Sequence, residues 1–413
     1  FSALSKMAAS MTGTFHNPFK SWSPLNKIFF AGEGICHSYD EFGRPYTGTV
    51  NYRGQTFTSR LLWTPDYHIK GRTAMSQEVE KGTHTSMCGG KVEQLRRRPV
   101  MFVQRHHGAK FVVIHMHGNG CDVGDMQPLA LEQAYTWEAH VILPEYPGYA
   151  EAPGRSSVKD VEWAVMSAAL FALTELQVPP SRIIVFGYSI GSGAACMLAR
   201  SLCEMDMPPA ALMLHAPYTS LRDMAVHFAG AIGNTTFNRF KTKRNLPYVT
   251  APVLIFHGDR DEVIPFQMGI NNFKSRERCP YPTEFFQQQG CTHNEYDPQR
   301  HIILPGLAFL RKHVIPKMAD RNVVTLQPYP QEFNNPPEDI EEIKTANVSR
   351  DASSKAKTAA NLGCMCGAFV IEMICGSVWL CWRGLKRNVV QKVCPTCVKH
   401  YKLHIKGDKG PPK

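Results

Sequence analysis

The chain has 413 residues, 43% of them hydrophobic and 20% charged, so it is long enough to bury one sizeable core together with extensions or a second domain. Its thirteen scattered cysteines exclude a small disulfide-stapled secreted domain and favour a cytosol-facing protein with reduced thiols. The formal charge of +11 is concentrated in residues 383–413, which carry nine basic side chains and one acid. Such a tail suits anionic lipid, an acidic protein or nucleic acid, and charge alone does not choose among them.

Four regions are predicted along the chain. Residues 1–54 form an N-terminal extension without a sustained period. Residues 55–316 alternate apolar runs of strand length with helix-length amphipathic stretches, which predicts βα units around a mostly parallel sheet with helices on both faces. Residues 317–360 are rich in proline and polar residues and are predicted to be a linker. Residues 361–413 hold a cysteine-rich apolar segment and the basic tail.

The clearest apolar runs predict strands that end at glycine, proline or polar turns, as at the ligand-binding edge of an open α/β sheet. They cover residues 111–115, 141–143, 183–186, 211–214 and 253–256, and a further strand is predicted over 283–287. The interval between the strands at 211 and 253 is too short for a large lid.

A serine nucleophile is indicated by GYSIGSG at 187, where an apolar strand runs into GxSxG and then into an alanine-rich helix. Small residues are needed on both sides of a serine in such a sharp turn, because side chains there would collide with the neighbouring strand and helix. The turn lifts the hydroxyl clear of the sheet at a helix N-terminus. Ser189 is therefore the predicted nucleophile.

A serine hydroxyl needs a base and an orienting acid, here expected downstream in the order Ser, Asp, His. The strand at 253 ends in HGDRDEVI, which makes Asp261 the predicted acid and Asp259 its main alternative; either could instead only cap the following helix. The strand at 283 runs into GCTHN, which makes His293 the predicted general base.

The loop HGNG at 117 follows another strand end and is predicted to turn backbone amides toward the oxyanion. The two expected donors are the N–H groups of Asn119 and of Ile190, the residue after the nucleophile. A metal pair of His115 and His117 is the weaker alternative, because no third ligand is clear. The aromatic residues of the following loop, Tyr146 and Tyr149, are predicted to shape the pocket floor.

Five motifs occur in a fixed order: HGNG at 117, YPGY at 146, GYSIGSG at 187, HGDRDEVI at 257 and GCTHN at 290. Together they resemble the α/β-hydrolase superfamily, and within it the small-lid depalmitoylases of the α/β-hydrolase domain-containing protein 17 type. The resemblance covers roughly residues 95–315. It implies an ester or thioester hydrolase that works through an acyl-serine intermediate, with no cofactor or metal, and it matches Ser189, Asp261 and His293 to the family triad.

The apolar segment 363–382 is long enough to span a bilayer, but Glu372 near its centre is costly in lipid. The alternatives are a helix docked on the hydrolase and an interfacial helix held by the basic run and by acylated cysteines. The candidate acylation sites are Cys364, Cys366, Cys375 and Cys381. We expect membrane association through this tail, a cytoplasmic location and no nucleic-acid partner.

Two further readings remain open. The tail also contains a CxxC followed by HxxxH, a weak zinc pattern because only two residues separate the pairs. Its ligands would be Cys394, Cys397, His400 and His404. The triad itself is compatible with a serine peptidase or amidase of the same fold, and a recruited non-catalytic scaffold is the alternative from another class.

Overall fold

The computed structural model describes residues 47–337, apart from residues 66, 71–77, 82, 86–92, 96, 151, 155 and 237. Every prediction made for residues 338–413 therefore lies outside the described residues. These predictions concern the candidate acylation sites Cys364, Cys366, Cys375 and Cys381 and the alternative zinc ligands Cys394, Cys397, His400 and His404.

Thirteen strands and seven α-helices are present in this part of the chain. The strands are β1 (Gly48–Tyr52), β2 (Gln55–Pro65), β3 (Tyr67–Lys70), β4 (Glu78–Lys81), β5 (Thr83–Thr85), β6 (Glu93–Leu95), β7 (Arg97–Arg105), β8 (Phe111–Met116), β9 (Ala139–Pro144), β10 (Ile183–Tyr188), β11 (Ala211–His215), β12 (Val253–Gly258) and β13 (Thr283–Gln288). The helices are α1 (Gln127–Thr136), α2 (Val158–Leu170), α3 (Ile190–Glu204), α4 (Leu221–Ala229), α5 (Thr242–Asn245), α6 (Phe266–Lys274) and α7 (Leu304–His313).

Nine strands form one sheet in the order β1-β2-β7-β9-β8-β10-β11-β12-β13. The three pairs at the β1 end are antiparallel, whereas the pairs from β9 to β13 are all parallel. Strands β8 to β12 are buried on both faces, which is why their sequences are continuously apolar. The predicted mostly parallel sheet is confirmed.

Helices cover both faces of the sheet. On one face α2 and α3 pack through side chains such as Val165 and Leu198, and on the other α1 and α7 pack through Ala134 and Phe309. Strand β8 lies between β9 and β10, so the connections from β8 and β10 leave in opposite directions. Open α/β sheets bind ligands in the crevice at such a switch point.

The packed body extends beyond both predicted boundaries. At the N-terminal side, β1 pairs with β2 before residue 55. At the other side, residues 318–333, which we call the strap, lie on the hydrolase body although a linker was predicted from residue 317. The Val324 and Gln327 N–H groups donate to Ala109 O and Leu176 O, and Phe333 is fully buried. The prolines keep the strap extended, but its apolar residues still reach the core.

The connection from β11 to β12 contains only α4, α5 and short 3₁₀ turns, so the lid is small as predicted. Among the helices that the structure describes, none is long and apolar enough to cross a bilayer.

Candidate active site

The predicted functional residues stand on loops at the carboxyl ends of four strands. Asn119 follows β8, Ser189 follows β10, Asp261 follows β12 and His293 follows β13. Because parallel strands end at one edge of the sheet, these loops meet above the switch point.

Ser189 lies in the turn between β10 and α3 with φ 54° and ψ −120°, a conformation that non-glycine residues rarely adopt. Neighbouring glycines allow the chain to pack closely there. A β-carbon at Gly187 would lie 2.5 Å from Gly191 O, and one at Gly191 would lie 2.5 Å from Met116 O. The turn therefore needs these glycines, and it holds the serine at the N-terminus of α3.

The imidazole of His293 joins the other two side chains. Its Nε2 lies 3.0 Å from Ser189 Oγ, and its Nδ1 lies 2.8 Å from Asp261 Oδ2. Both are hydrogen-bond distances, and the three side chains are buried. The structure thus brings together the three residues predicted from the sequence, in an arrangement that can pass a proton from hydroxyl to imidazole.

The carboxylate of Asp261 is surrounded by donors. Its Oδ1 accepts the N–H groups of Val263 and Ile264 at 2.9 and 2.8 Å. Burial opposes ionisation, but hydrogen bonds from His257 and His293 outweigh it and hold the pKa of Asp261 well below its usual value. Asp261 therefore stays ionised at neutral pH and stabilises a protonated His293.

The alternative acid, Asp259, has its hydrogen bonds elsewhere. Its carboxylate accepts from Gln287 Nε2 at 3.0 Å and from Gly290 N at 2.7 Å. Both partners lie at the end of β13 or just beyond it, so Asp259 fastens that turn rather than the imidazole.

Two supporting residues were missed by the sequence reasoning. His257 Nε2 lies 2.9 Å from Ile264 O and 3.3 Å from Asp261 Oδ2, so it donates to the turn that carries the acid. The Tyr188 hydroxyl lies 3.0 Å from His293 O. Both residues are at strand ends beside predicted site residues, and that position was the available signal.

The loop after β8 lies beside the nucleophile. A β-carbon added at Gly118 would lie 3.7 Å from Ser189 Cβ. Ile190 is the first residue of α3. The two backbone segments expected to supply oxyanion donors, at Asn119 and Ile190, therefore flank Ser189.

A buried pair anchors this loop. His117 Nε2 lies 3.1 Å from Glu145 Oε1, His117 Nδ1 lies 3.0 Å from Gly118 O, and both side chains of the pair are fully buried. Burial opposes protonation of His117, but its hydrogen bond to Glu145 and the charge of that carboxylate outweigh burial and raise its pKa. Both ring nitrogens lie within about 3 Å of an oxygen, which favours the protonated ring.

Tyr146 and Tyr149, predicted to shape the pocket floor, have fully buried rings. The Tyr146 hydroxyl donates to His117 O at 2.9 Å, and the Tyr149 hydroxyl donates to Asn119 Oδ1 at 2.8 Å. Their apolar rings fill the space beneath the loop while their hydroxyls hold it in place.

His115 and His117 bond to different partners, since His115 Nδ1 lies 3.0 Å from Gln133 Oε1. Burial lowers the pKa of His115 to about 3. Within residues 47–337 as described, no group of three or more His, Cys, Asp or Glu side chains is arranged to hold a metal ion.

A mostly parallel sheet, a strained serine turn and a Ser, Asp, His order at one sheet edge define an α/β-hydrolase. Similarity to known proteins identifies the family within this class. The chain is 33% identical over 253 residues to α/β hydrolase domain-containing protein 17B of Xenopus tropicalis, covering 61% of this chain and 81% of that protein. It is 31% identical over 252 residues to human 17B, with the same coverage. The chain therefore belongs to the α/β hydrolase domain-containing protein 17 family.

Two further similarities are more distant. The Caenorhabditis elegans protein aho-3 is 30% identical over 230 residues, covering 55% of this chain and 66% of that protein. A cold-adapted esterase from an Arctic metagenomic library aligns with a TM-score of 0.42 at 13% identity, covering 64% of this chain and 97% of the esterase. No family model matches the chain. The assignment therefore rests on the 17B relatives and on the topology.

Proposed function

We propose that the chain is a serine hydrolase that cleaves acyl esters or thioesters through an acyl-serine intermediate. The observation that carries the proposal is the hydrogen-bonded series from Ser189 through His293 to Asp261. Family membership makes the chain a hydrolase, and this series supplies the nucleophile, the base and the orienting acid.

In the proposed reaction, His293 Nε2 takes the proton of Ser189 Oγ as the oxygen attacks the acyl carbonyl. The tetrahedral oxyanion is stabilised by the backbone N–H groups of Asn119 and Ile190. His293 then gives its proton to the leaving alcohol or thiol. A water, deprotonated by the same imidazole, attacks the acyl-serine and releases the carboxylic acid and Ser189.

The substrate class follows from the resemblance to depalmitoylases and from the small lid. We infer that the acyl group is lipid-like, carried by a protein or a lipid at a membrane that the C-terminal tail contacts. Cell fractionation tests the tail. A chain that ends at residue 360 should be depleted from the membrane fraction relative to the full chain, and full retention there would contradict a role of the tail as an anchor.

Activity-based labelling tests the chemistry. A fluorophosphonate probe should label the wild-type chain but not Ser189→Ala. Ser192→Ala is the matched control, because Ser192 is buried one turn away on α3 and should leave labelling intact. An unlabelled wild-type chain would contradict the proposal.

A substrate panel separates esterase from amidase. Acyl thioesters, lysophospholipids and short esters should be hydrolysed much faster than the matched anilides. Preferential cleavage of the anilides would favour a peptidase or amidase.

A further inference from the structure

The connection between β11 and β12 carries an unbalanced charge. Residues 224–252 contain no Asp or Glu but four basic residues, Arg239, Lys241, Lys243 and Arg244. Arg239, Lys243 and Arg244 are exposed, and Lys241 is partly so. Among the residues that the structure describes, none of the four has a carboxylate within ion-pair distance. The charge of Arg239 acts on the carboxyl group of Glu162 on α2, whereas Lys241, Lys243 and Arg244 have no carboxylate beside them among the described residues.

This basic segment is fixed to the body rather than loose. The Lys243 N–H donates to Thr219 O, and Arg239 O accepts from the Leu221 N–H, both at 3.1 Å. Phe240 packs so closely on α3 that a β-carbon at Gly193 would lie 2.6 Å from Phe240 Cβ. The segment thus covers the first turns of the helix that begins directly after Ser189.

Two aromatic rings are exposed on the same connection. Phe228, near the end of α4, is 43% exposed, and Tyr248, just after α5, is 58% exposed. The Arg200 guanidinium lies 4.5 Å from the centre of the Tyr248 ring and is itself paired with Glu204 at 2.7 Å, so it holds the ring but adds no net charge. Exposed rings on a connection that also carries exposed cations suit the boundary between lipid headgroups and acyl chains.

We propose that Phe228, Tyr248 and the four basic residues form a docking surface for an anionic lipid bilayer, here called the lid surface. Its cations attract acidic headgroups, and its two rings enter the interface. Docking there would place the helix that follows the nucleophile next to the bilayer that holds acyl substrates. The lid surface is separate from the C-terminal tail. Its test measures membrane binding and not turnover, so the result does not depend on whether the proposed hydrolase chemistry is correct.

Hydrogen exchange on the full-length protein reports membrane protection of the lid surface separately from that of the C-terminal tail. Peptides covering residues 221–248 should become protected with vesicles of phosphatidylcholine and phosphatidylserine, but not with phosphatidylcholine alone. The double variant Lys243→Glu, Arg244→Glu should lose that protection, with an affinity for the mixed vesicles lowered about tenfold. Both side chains are exposed, so the thermal midpoint should not move.

The matched control is Lys317→Glu, Arg321→Glu. It makes the same change in net charge at exposed residues outside the lid surface and should keep the protection. Unchanged exchange of peptides 221–248 in the presence of mixed vesicles would overturn the proposal, whether or not the tail binds. Protection that survives in Lys243→Glu, Arg244→Glu would overturn it too. Protection by an acidic peptide or an RNA, but not by vesicles, would assign the lid surface to that other partner.

Discussion

Glu145 takes no proton in the proposed reaction, yet it is one of the most constrained residues beside the site. It bonds to His117, and its other oxygen accepts the Val123 N–H at 3.0 Å. Burial raises the pKa of Glu145, but the hydrogen bond and the charge of His117 oppose that shift, and the 3.1 Å contact favours a charged pair. Because the pair is fully buried, removing one member leaves the other without its partner. The position of the loop after β8, which carries Asn119, therefore depends on a residue outside the triad.

We expect Glu145→Gln to lower kcat by about 10- to 100-fold with little change in KM, because displaced oxyanion donors weaken only the transition state. The free energy of unfolding should fall by about 3–5 kcal/mol. Steady-state kinetics and urea unfolding measure these effects. Tyr149→Phe, which removes one hydroxyl from beneath the same loop, should cost about 1 kcal/mol. Wild-type kcat in Glu145→Gln would show that the pair does not position the loop.

Glu162, on α2, lowers the free energy of unfolding by an amount that depends on pH. Burial raises its pKa to about 7, although the charges of Arg239 and Lys159 partly oppose the shift. An acid whose pKa is higher in the folded than in the unfolded chain destabilises the fold as pH rises, here from about 4.5 toward 7.

Glu162→Gln should therefore raise the free energy of unfolding at pH 8 and change it little near pH 4.5. Urea unfolding at the two pH values measures this difference. Glu277→Gln makes the same chemical change at an exposed position and should have no pH-dependent effect. Equal effects of Glu162→Gln at both pH values would contradict a raised pKa.

The triad residues could be predicted because each follows an apolar strand within a motif of known spacing. The residues that support the triad could not be predicted in this way. The role of Glu145 depends on a contact with His117, 28 positions earlier in the chain, and His257 acts on Asp261 through a turn whose shape no spacing specifies. Contacts between loops are set by tertiary packing, and a single sequence does not display them.

At the scale of elements, the serine turn depends on the close approach of β10 and α3. A methyl group at Gly187 would meet Gly191 O at 2.5 Å and Ala195 Cβ at 2.6 Å, and neither atom belongs to a flexible side chain that can turn away. Gly54 differs, since it has φ +77° but open space around its α-carbon.

We expect Gly187→Ala to lower the free energy of unfolding by about 3 kcal/mol or more, because the strand and the helix must separate. Gly54→Ala should cost only the strain of a positive φ, about 1 kcal/mol. Thermal and urea unfolding of the two variants compare these costs. Similar losses in both would mean that steric contact at the turn does not matter.

The parallel strands were predictable because both of their faces are buried, so their sequences are unbroken apolar runs. The antiparallel strands β2 and β7 were not predicted individually. Gln55–Pro65 and Arg97–Arg105 mix polar with apolar residues, and Pro99 lies within β7. Their pairing with each other is a long-range contact that no local pattern announces.

At the scale of the molecule, the strap closes the body far from the site. Phe333 is fully buried against Phe171 and Tyr329, with ring centres 6.2 and 6.5 Å away. Arg182 reaches the carbonyl oxygens of Lys110 and Asn322 at 3.1 Å. The proline-rich composition hid this packing, because proline suits fixed extended segments as well as linkers.

Phe333→Ala should lower the free energy of unfolding by about 3–5 kcal/mol, since it leaves a cavity between Phe171 and the strap. Val323→Ala, at a strap residue that is 55% exposed, should stay within about 0.5 kcal/mol of the wild type. Urea unfolding of the full chain measures both. A neutral Phe333→Ala would show that the strap does not contribute to stability.

The strap fastens segments that enter the strands, at Ala109, Lys110, Leu176 and Arg182, whereas the nucleophile, base and acid stand where the strands end. The sheet thus carries one stabilising attachment at the rim opposite its chemistry. Substitutions in the strap can therefore change heat tolerance without touching the residues that act on the substrate.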